Sequence, residues 1–387
     1  MLKNFTALMI VLLVACIHNA SAQGTTDAAA TGISRAFNPA ISINGLLSGS
    51  ASDNTDEIWT SPDLTSGLQL QEISVDFSAN VDVYLSSRAT FSTEGEDGLG
   101  LEEIYLTTLQ MPVPVTLRGG KMLNTFGRHN LYHLHHMAFT EPPLILKEIF
   151  GPDLNEVSLE ASYLMPVSWY MDVTFGLLNG DNTNLFQGTD QFDFGYLWHL
   201  DNLWDVTDAV TLRFGSSLLR GGRGDHTGEN APPASLLPGD EVHSSVWGVD
   251  VQLKWRPLRY GRYRSCTIQG EYINTTLNIA GHTTDPLHGY FIQVLRKFQL
   301  RWWLQGRYGW FRRPAELSPY FPEPEQLSYD VSTGLTGYRY SAAIAYVPTE
   351  FSAFRLQYNY TRFADYSAHR VTFQVNVTIG SHPAHKY

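Results

Sequence analysis

Cysteine is almost missing from this chain. Among 387 residues only Cys16 and Cys266 occur, and Cys16 falls within a leader-like segment, so a disulfide framework of the kind that staples secreted domains is excluded. Cys266 has no catalytic signature around it and is expected as a lipid-facing or core side chain. Charge is scarce as well, at 17 % of residues against about 25 % in average globular chains. A basic excess is lacking: 26 Lys+Arg stand against 38 Asp+Glu, a formal net charge of −12, which argues against a nucleic-acid partner. Past residue 22 no apolar run approaches the ~18–20 residues a membrane-spanning helix needs. With a mean hydropathy of −0.17, a helical membrane bundle is excluded. Enzyme signatures are missing too: there is no Gly-x-Ser-x-Gly, no His-Glu-x-x-His and no glycine-rich phosphate loop.

Aromatic residues, by contrast, are abundant at 13 %, with 20 Tyr, 20 Phe and 9 Trp. Few charges, many aromatics and middling hydropathy suit an all-β fold, a transmembrane antiparallel β-barrel with one strand face in lipid and the other in water. Residues 1–22 have the form of an export signal: Lys3, an apolar stretch over 5–16, then Ala20-Ser21-Ala22 before Gln23. Leu13-Val14-Ala15-Cys16 offers a second reading, a lipoprotein signal acylated at Cys16. A short segment, 23–38, then leads into a barrel over 39–387.

Period-two alternation between Gly, Pro, Asn and Asp clusters places sixteen strands near 39–47, 68–79, 82–92, 101–110, 115–123, 155–164, 168–178, 190–199, 208–219, 244–255, 264–275, 288–296, 299–310, 332–346, 352–362 and 369–380. An even count returns both barrel ends to the periplasmic side. Connection lengths alternate as well. Short turns at 80–81, 111–114, 165–167, 297–298 and 347–351, with longer ones near Asn202 and Leu258, interleave with loops at 48–67, 124–154, 179–189, 220–243, 276–287 and 311–331. A soluble sandwich has no reason to do that. Trp169, Met171, Val173, Phe175 and Leu177 form one lipid face, and Trp247, Val249, Val251, Leu253 and Trp255 another.

Opposite parity gives the pore lining. Its basic members are Arg88, Arg118, Arg213, Lys254, Arg301, Arg307, Arg339, Arg355 and Arg370, and its acidic members Asp76, Glu103, Glu160, Asp172, Asp193, Asp250 and Glu271. The basic set concentrates after Pro286 and the acidic set before it. The wall is therefore expected either to carry a field across the lumen or simply to pair its charges between strands.

A sixteen-strand barrel leaves an aqueous channel unless something fills it. The 124–154 connection carries Leu131, Leu134, Phe139, Leu144, Ile145, Ile149 and Phe150. It is expected to fold inward, with a short helix near 142–150, and to narrow the pore. It also holds His129, His133, His135 and His136, with Glu141 close behind. These side chains could ligate zinc or copper, or the imidazoles could hydrogen-bond to the lumen wall and hold the loop down. No resident cofactor other than such a zinc is expected. His382 and His385 form a second pair, in the tail.

Phe37-Asn38-Pro39-Ala40, Gly120-Lys121, Gly127, Asn130, His133-Leu134-His135, Phe139, Pro143-Leu144, Phe150-Gly151 and the closing Gly380-Ser381-His382-Pro383-Ala384-His385-Lys386-Tyr387 resemble a family of Gram-negative outer-membrane proteins. That family is often labelled zinc-regulated TonB-dependent outer-membrane receptors, and is distantly similar to phosphate-selective porins. This chain has Glu141-Pro142 where the family pattern has an Asp and a small residue. A TonB-dependent receptor carries an N-terminal plug and about 22 strands, and 23–38 offers no such plug. The resemblance thus implies a porin-like channel for passive diffusion of small hydrophilic solutes or ions, with a link to zinc uptake, and not an energised receptor. The expected location is the outer membrane, and the expected partners are its lipid and lipopolysaccharide, the barrel-assembly machinery, small solutes and a homo-oligomer. Two rival readings stand beside it: an outer-membrane β-barrel enzyme, and a closed barrel serving adhesion through Arg223-Gly224-Asp225.

Overall fold

In a computed structural model, the described residues are 39–54, 66–94, 98–186, 194–223, 242–279, 281–320, 334–364 and 366–380. The leader, the Cys16 site, Asp193, the Arg-Gly-Asp tripeptide beyond Arg223, and the His382 and His385 pair lie outside them.

Wherever lipid meets the chain, no water is present to satisfy backbone polar groups, so strands must close on one another. The strands are β1 (Ala40–Ser52), β2 (Gly67–Asn80), β3 (Leu85–Glu94), β4 (Gly100–Thr108), β5 (Val115–Leu123) and β6 (Asn155–Leu164). Then follow β7 (Tyr170–Leu178), β8 (Gly195–Thr207), β9 (Val210–Arg223), β10 (Val242–Trp255) and β11 (Arg264–Ile279). A two-residue β12 (His282–Thr283) precedes β13 (Leu287–Phe298), β14 (Trp302–Arg313), β15 (Leu335–Thr349), β16 (Ser352–Phe363) and β17 (Tyr366–Gly380). Every neighbouring pair is antiparallel, and β1 pairs with β17 as well as β2, which closes the sheet. β12 bonds only to β11, and β11 pairs directly with β13. The result is a closed antiparallel barrel of 16 wall strands.

All sixteen strands stand where alternation put them, and β5 and β6 match to the residue. Several strands run beyond their expected ends, as β1 does to Ser52, β9 to Arg223 and β11 to Ile279, and the largest difference is in β8. Asp201-Asn202 has the polarity of a turn, yet β8 runs on to Thr207 and the chain turns at Asp208-Ala209. Both polar side chains have partners that make a turn unnecessary: Asp201 pairs with Arg213, and Asn202 accepts from Trp169 Nε1. Arg301 also departs from expectation. It lies exposed in the β13–β14 turn rather than on the wall, because the strand begins only at Trp302, after Gln299 has taken a φ of 67°.

The two faces are distinct along each strand. On β17, Val371, Val377 and Ile379 are exposed, while Arg370, Thr372, Gln374, Asn376 and Thr378 are buried. The lipid-facing sets on β7 and β10 follow the same parity, and Cys266 shares it on β11. Residues 124–154 fold into the lumen and carry α1 (Leu144–Phe150). Pro143 precedes the helix, supplying no N–H where none could be bonded, and Gly151 ends it at φ 79°.

Ile145, Ile149 and Phe150 of α1 pack in a buried apolar cluster with Leu197, Leu219, Phe291, Phe311 and Phe363 of the wall. These wall residues point inward near the end of the barrel that carries the long loops. The lumen there is a packed core, and Gly289 makes room for it: a Cβ at that position would stand 2.8 Å from Ile145 Cδ1 and 2.7 Å from Phe311 Cβ. Gly289→Ala should therefore destabilise the barrel by about 1–3 kcal/mol through overpacking, read as a lowered urea midpoint. Gly309→Ala, whose added methyl would meet nothing closer than 3.9 Å, should leave the midpoint unchanged.

Candidate functional site: an inward loop and the chamber beneath it

Two strands break their alternation where the loop needs them to. Opposite β1, Leu46 pairs with Glu72 and Leu47 with Leu70, which leaves Gln71 as an extra residue. Opposite β3, Thr90 pairs with Glu103 and Phe91 with Leu101, leaving Glu102 extra. A bulge of this kind re-aims side chains. Here it directs Gln71 and Glu72, and likewise Glu102 and Glu103, at the loop.

The imidazoles meet these carboxylates. His133 Nδ1 lies 2.7 Å from Glu102 and its Nε2 2.9 Å from Glu103. A neutral imidazole has one N–H, so donation to two carboxylates requires the doubly protonated ring. Burial works against that charge, yet the hydrogen bonds to Glu102 and Glu103 outweigh it and hold the His133 pKa well above its usual value. His135 Nδ1 lies 3.1 Å from Glu72, and His136 packs over His135 at 4.2 Å between ring centroids. His129 turns away, edge-on to Phe291 and Tyr132. Burial, reinforced by Arg307, drives its pKa down to about 3, so the ring is neutral.

The loop backbone is secured from two sides. On the acidic side, wall carboxylates accept its N–H groups. Glu103 takes Leu123 at the end of β5, where the loop begins, Glu160 takes Thr125, and Glu271 takes both Arg128 and His129 at 3.1 and 2.7 Å. Gly127 permits the last approach, with a φ of 58° and a position where a Cβ would stand 2.7 Å from Glu271 Oε2. On the basic side the wall donates. Arg355 bonds the carbonyl of Met137, Arg307 that of Glu141, Gln71 that of Thr140 and Asn376 that of His135, all at 2.8–2.9 Å. Arg339 also takes the Glu141 carboxylate at 2.7 Å. Burial alone would raise the Glu141 pKa, but Arg339, Arg370 and Arg307 together hold it below the ordinary value. Deeper in the apolar cluster, Glu148 of α1 pairs with Arg313 at 3.2 Å, both side chains fully buried.

Beneath the loop, against β5 to β10, a chamber of about 220 Å³ remains. Arg118, Arg128 and Arg213 line it, with Asp172, Asp201, Asp250 and His199. Arg118 pairs with Glu160 at 3.4 Å, Arg213 with Asp201, and outside the chamber Arg88 pairs with Asp76 at 2.8 Å. Arg128 also borders a second space of about 40 Å³, which reaches Lys254, Gln269 and Gln293.

Of the expected pore lining, Arg88, Arg118, Arg213, Asp172, Glu103, Glu160, Asp250, Glu271, Arg307, Arg339, Arg355 and Arg370 stand on lumen-facing parity, and among the described members Arg301 does not. The structure gathers His133, His135 and His136 but sets His129 on Phe291 and Glu141 on Arg339. Among the described residues no three His, Cys, Asp or Glu groups converge as metal donors. Sequence inspection missed Glu72, Glu102, Asp201, His199 and Arg128. For the first two the available signal was a pair of adjacent polar residues inside an alternating strand, Gln71-Glu72 and Glu102-Glu103.

No known family profile matches the chain. A protein of Aquifex aeolicus described only as uncharacterized is 28 % identical over 346 residues, covering 83 % of this chain and 70 % of its own length. Among solved structures, an anion-selective porin from Comamonas acidovorans superposes with a TM-score of 0.56 at 9 % identity, covering 88 % of this chain and 100 % of that one. OprB of Pseudomonas putida gives 0.56 at 11 % identity, covering 88 % and 94 %. Outer-membrane-expressed OmpT of Vibrio cholerae gives 0.53 at 11 %, covering 90 % and 99 %. At such identities the likeness is one of fold, and the fold is that of Gram-negative outer-membrane porins. The TonB-dependent receptor label finds no support among them.

Two outcomes follow from the loop's anchors. Glu148→Gln strands the Arg313 guanidinium in an apolar core and should cost about 3–5 kcal/mol in urea unfolding, whereas a Glu148→Met/Arg313→Met pair should recover most of it. The His133 clamp has the opposite pH sign to an ordinary carboxylate pair. Its pKa is raised on folding, so its contribution is full below about pH 6.5 and is lost as pH rises through the folded-state value. The stability difference between the parent and His133→Gln should therefore shrink as pH rises above about 6.5. A constant difference would contradict the clamp.

Proposed function

We propose that the protein is an outer-membrane channel for passive diffusion of small hydrophilic solutes, and that they pass along the chamber between the loop and the wall of β5 to β10. The observation that carries this reading is the chamber itself: polar space in a closed barrel whose long-loop end is packed by α1 and its apolar neighbours. Three arginines and three aspartates border it, with two of the arginines already matched to carboxylates. A near-neutral lining of this kind favours polar or zwitterionic solutes over ions of one sign. The fold shared with porins supports the reading. Zinc enters only as candidate cargo, on the sequence resemblance.

Planar-bilayer recording of the refolded barrel tests this directly. Small, stable conductance steps are expected, and silence across repeated preparations would sink the channel reading. Arg128→Ala removes the one chamber arginine that forms no ion pair among the described residues. It should enlarge the step and raise cation over anion permeability on the order of twofold. An unshifted reversal potential would place the path elsewhere. Zinc included as permeant cation reads the cargo question in the same recordings.

A further inference from the structure

The lipid-facing surface differs around the circumference, and the difference lies at the long-loop end. On β13 to β16 an aromatic row crosses the strands in register, Tyr290 opposite Trp310 and Trp310 opposite Tyr338. The first pair meets at 5.9 Å between ring centroids, and Tyr338 meets Tyr360 at 6.2 Å. Such a row marks the level at which a barrel leaves the hydrocarbon for the headgroups. Two residues farther out stand Arg312, beyond Trp310 on β14, and Arg362, beyond Tyr360 on β16 and opposite Tyr338. Both are exposed, and both point to lipid, because their neighbours Arg313 and Phe363 are buried in the lumen. Neither makes an ion pair among the described residues. One strand separates them and their register differs by two residues, as Arg312 faces Thr336 and Arg362 faces Tyr338, so their Cα atoms lie about 12 Å apart, within joint reach of one headgroup.

The opposite side of the barrel has no counterpart. At the same end of β2, β4 and β6 stand Leu68, Leu101 and Val157, all exposed and aliphatic. These three side chains offer no carboxylate to a guanidinium.

We infer that Arg312, two residues beyond the Tyr290–Trp310–Tyr338 row, and Arg362, which continues that row on β16, form a docking site for the phosphate of a phosphorylated glycolipid in the outer leaflet. The arginines supply forked donors to phosphate oxygens, and the rings below give the sugar and first acyl carbons a flat amphipathic support. The inference rests on the outer-membrane placement proposed above.

Native mass spectrometry of the detergent-solubilised barrel, with bisphosphorylated lipid A as probe, tests the site. The parent should retain the lipid, and R312Q/R362Q should bind it about tenfold more weakly, the loss of roughly one charge-assisted hydrogen bond. Lys121→Gln, on the other side of the barrel, should bind as the parent does. Dephosphorylated lipid A should not distinguish the parent from the double variant. Equal retention of the bisphosphorylated form by both would overturn the inference, as would its displacement by an equal concentration of inorganic phosphate. Conductance in phosphatidylcholine bilayers separates this from the channel reading. A conducting parent that retains no lipid A contradicts the docking site alone, and lipid retention by a silent parent contradicts the channel alone.

Discussion

A stretch of irregular backbone enclosed in a membrane barrel must find a partner for every N–H and C=O it carries, because each one left buried and unmet costs about 1–3 kcal/mol. The 124–154 loop meets that requirement through the division of charge across the wall. Carboxylates of β6 and β11 accept N–H groups from its first part, and Glu103 of β4 accepts that of Leu123 just before it. Arginines and amides of β2, β14, β16 and β17 donate to carbonyls of its second part. The loop's own polar side chains follow the same sense, with His133 and His135 beside wall carboxylates and Glu141 beside Arg339. The field across the lumen and the pairing of charges, two alternatives at the level of sequence, are thus one arrangement. Neighbouring strands pair some charges with each other, and the loop takes up others.

Holding the loop in place settles where space remains. Its apolar end, α1, buries itself against wall side chains and seals that part of the lumen, with the enclosed Glu148–Arg313 pair fixing its register. Its polar beginning stands off from β5 to β10 and leaves the charged chamber beside it. An ion pair in an apolar core is a weak source of net stability but a strong penalty for misplacement, which suits a segment that has one seat to find.

Much of this was legible in the sequence, because alternation survives wherever one face meets lipid and the other meets polar groups. β5, β6 and the 144–150 helix are clear cases. The exceptions share a cause. Gln71-Glu72 and Glu102-Glu103 put two polar residues in succession where a bulge turns both inward. Leu177-Leu178, Leu218-Leu219 and Trp310-Phe311 put two apolar residues in succession where lipid lies on one face and α1 packing on the other. Doubled residues within an alternating strand thus report what occupies the lumen, which single-face parity cannot. Asp201-Asn202 misled for a related reason: polarity signals a turn only when the groups lack partners on adjacent strands. The histidine cluster kept two readings open because spacing along a loop does not say which wall residues the rings will meet.

The central claim is that wall charges fix residues 124–154 inside the barrel as firmly as the strands themselves. Amide hydrogen exchange of the barrel reconstituted in lipid measures that directly. The account predicts that the N–H groups of Leu123, Thr125, Arg128 and His129 exchange as slowly as those of β10 and β11, and that Glu271→Gln accelerates Arg128 and His129 selectively. Exchange of these amides at the rate of an open loop in the parent protein would contradict it.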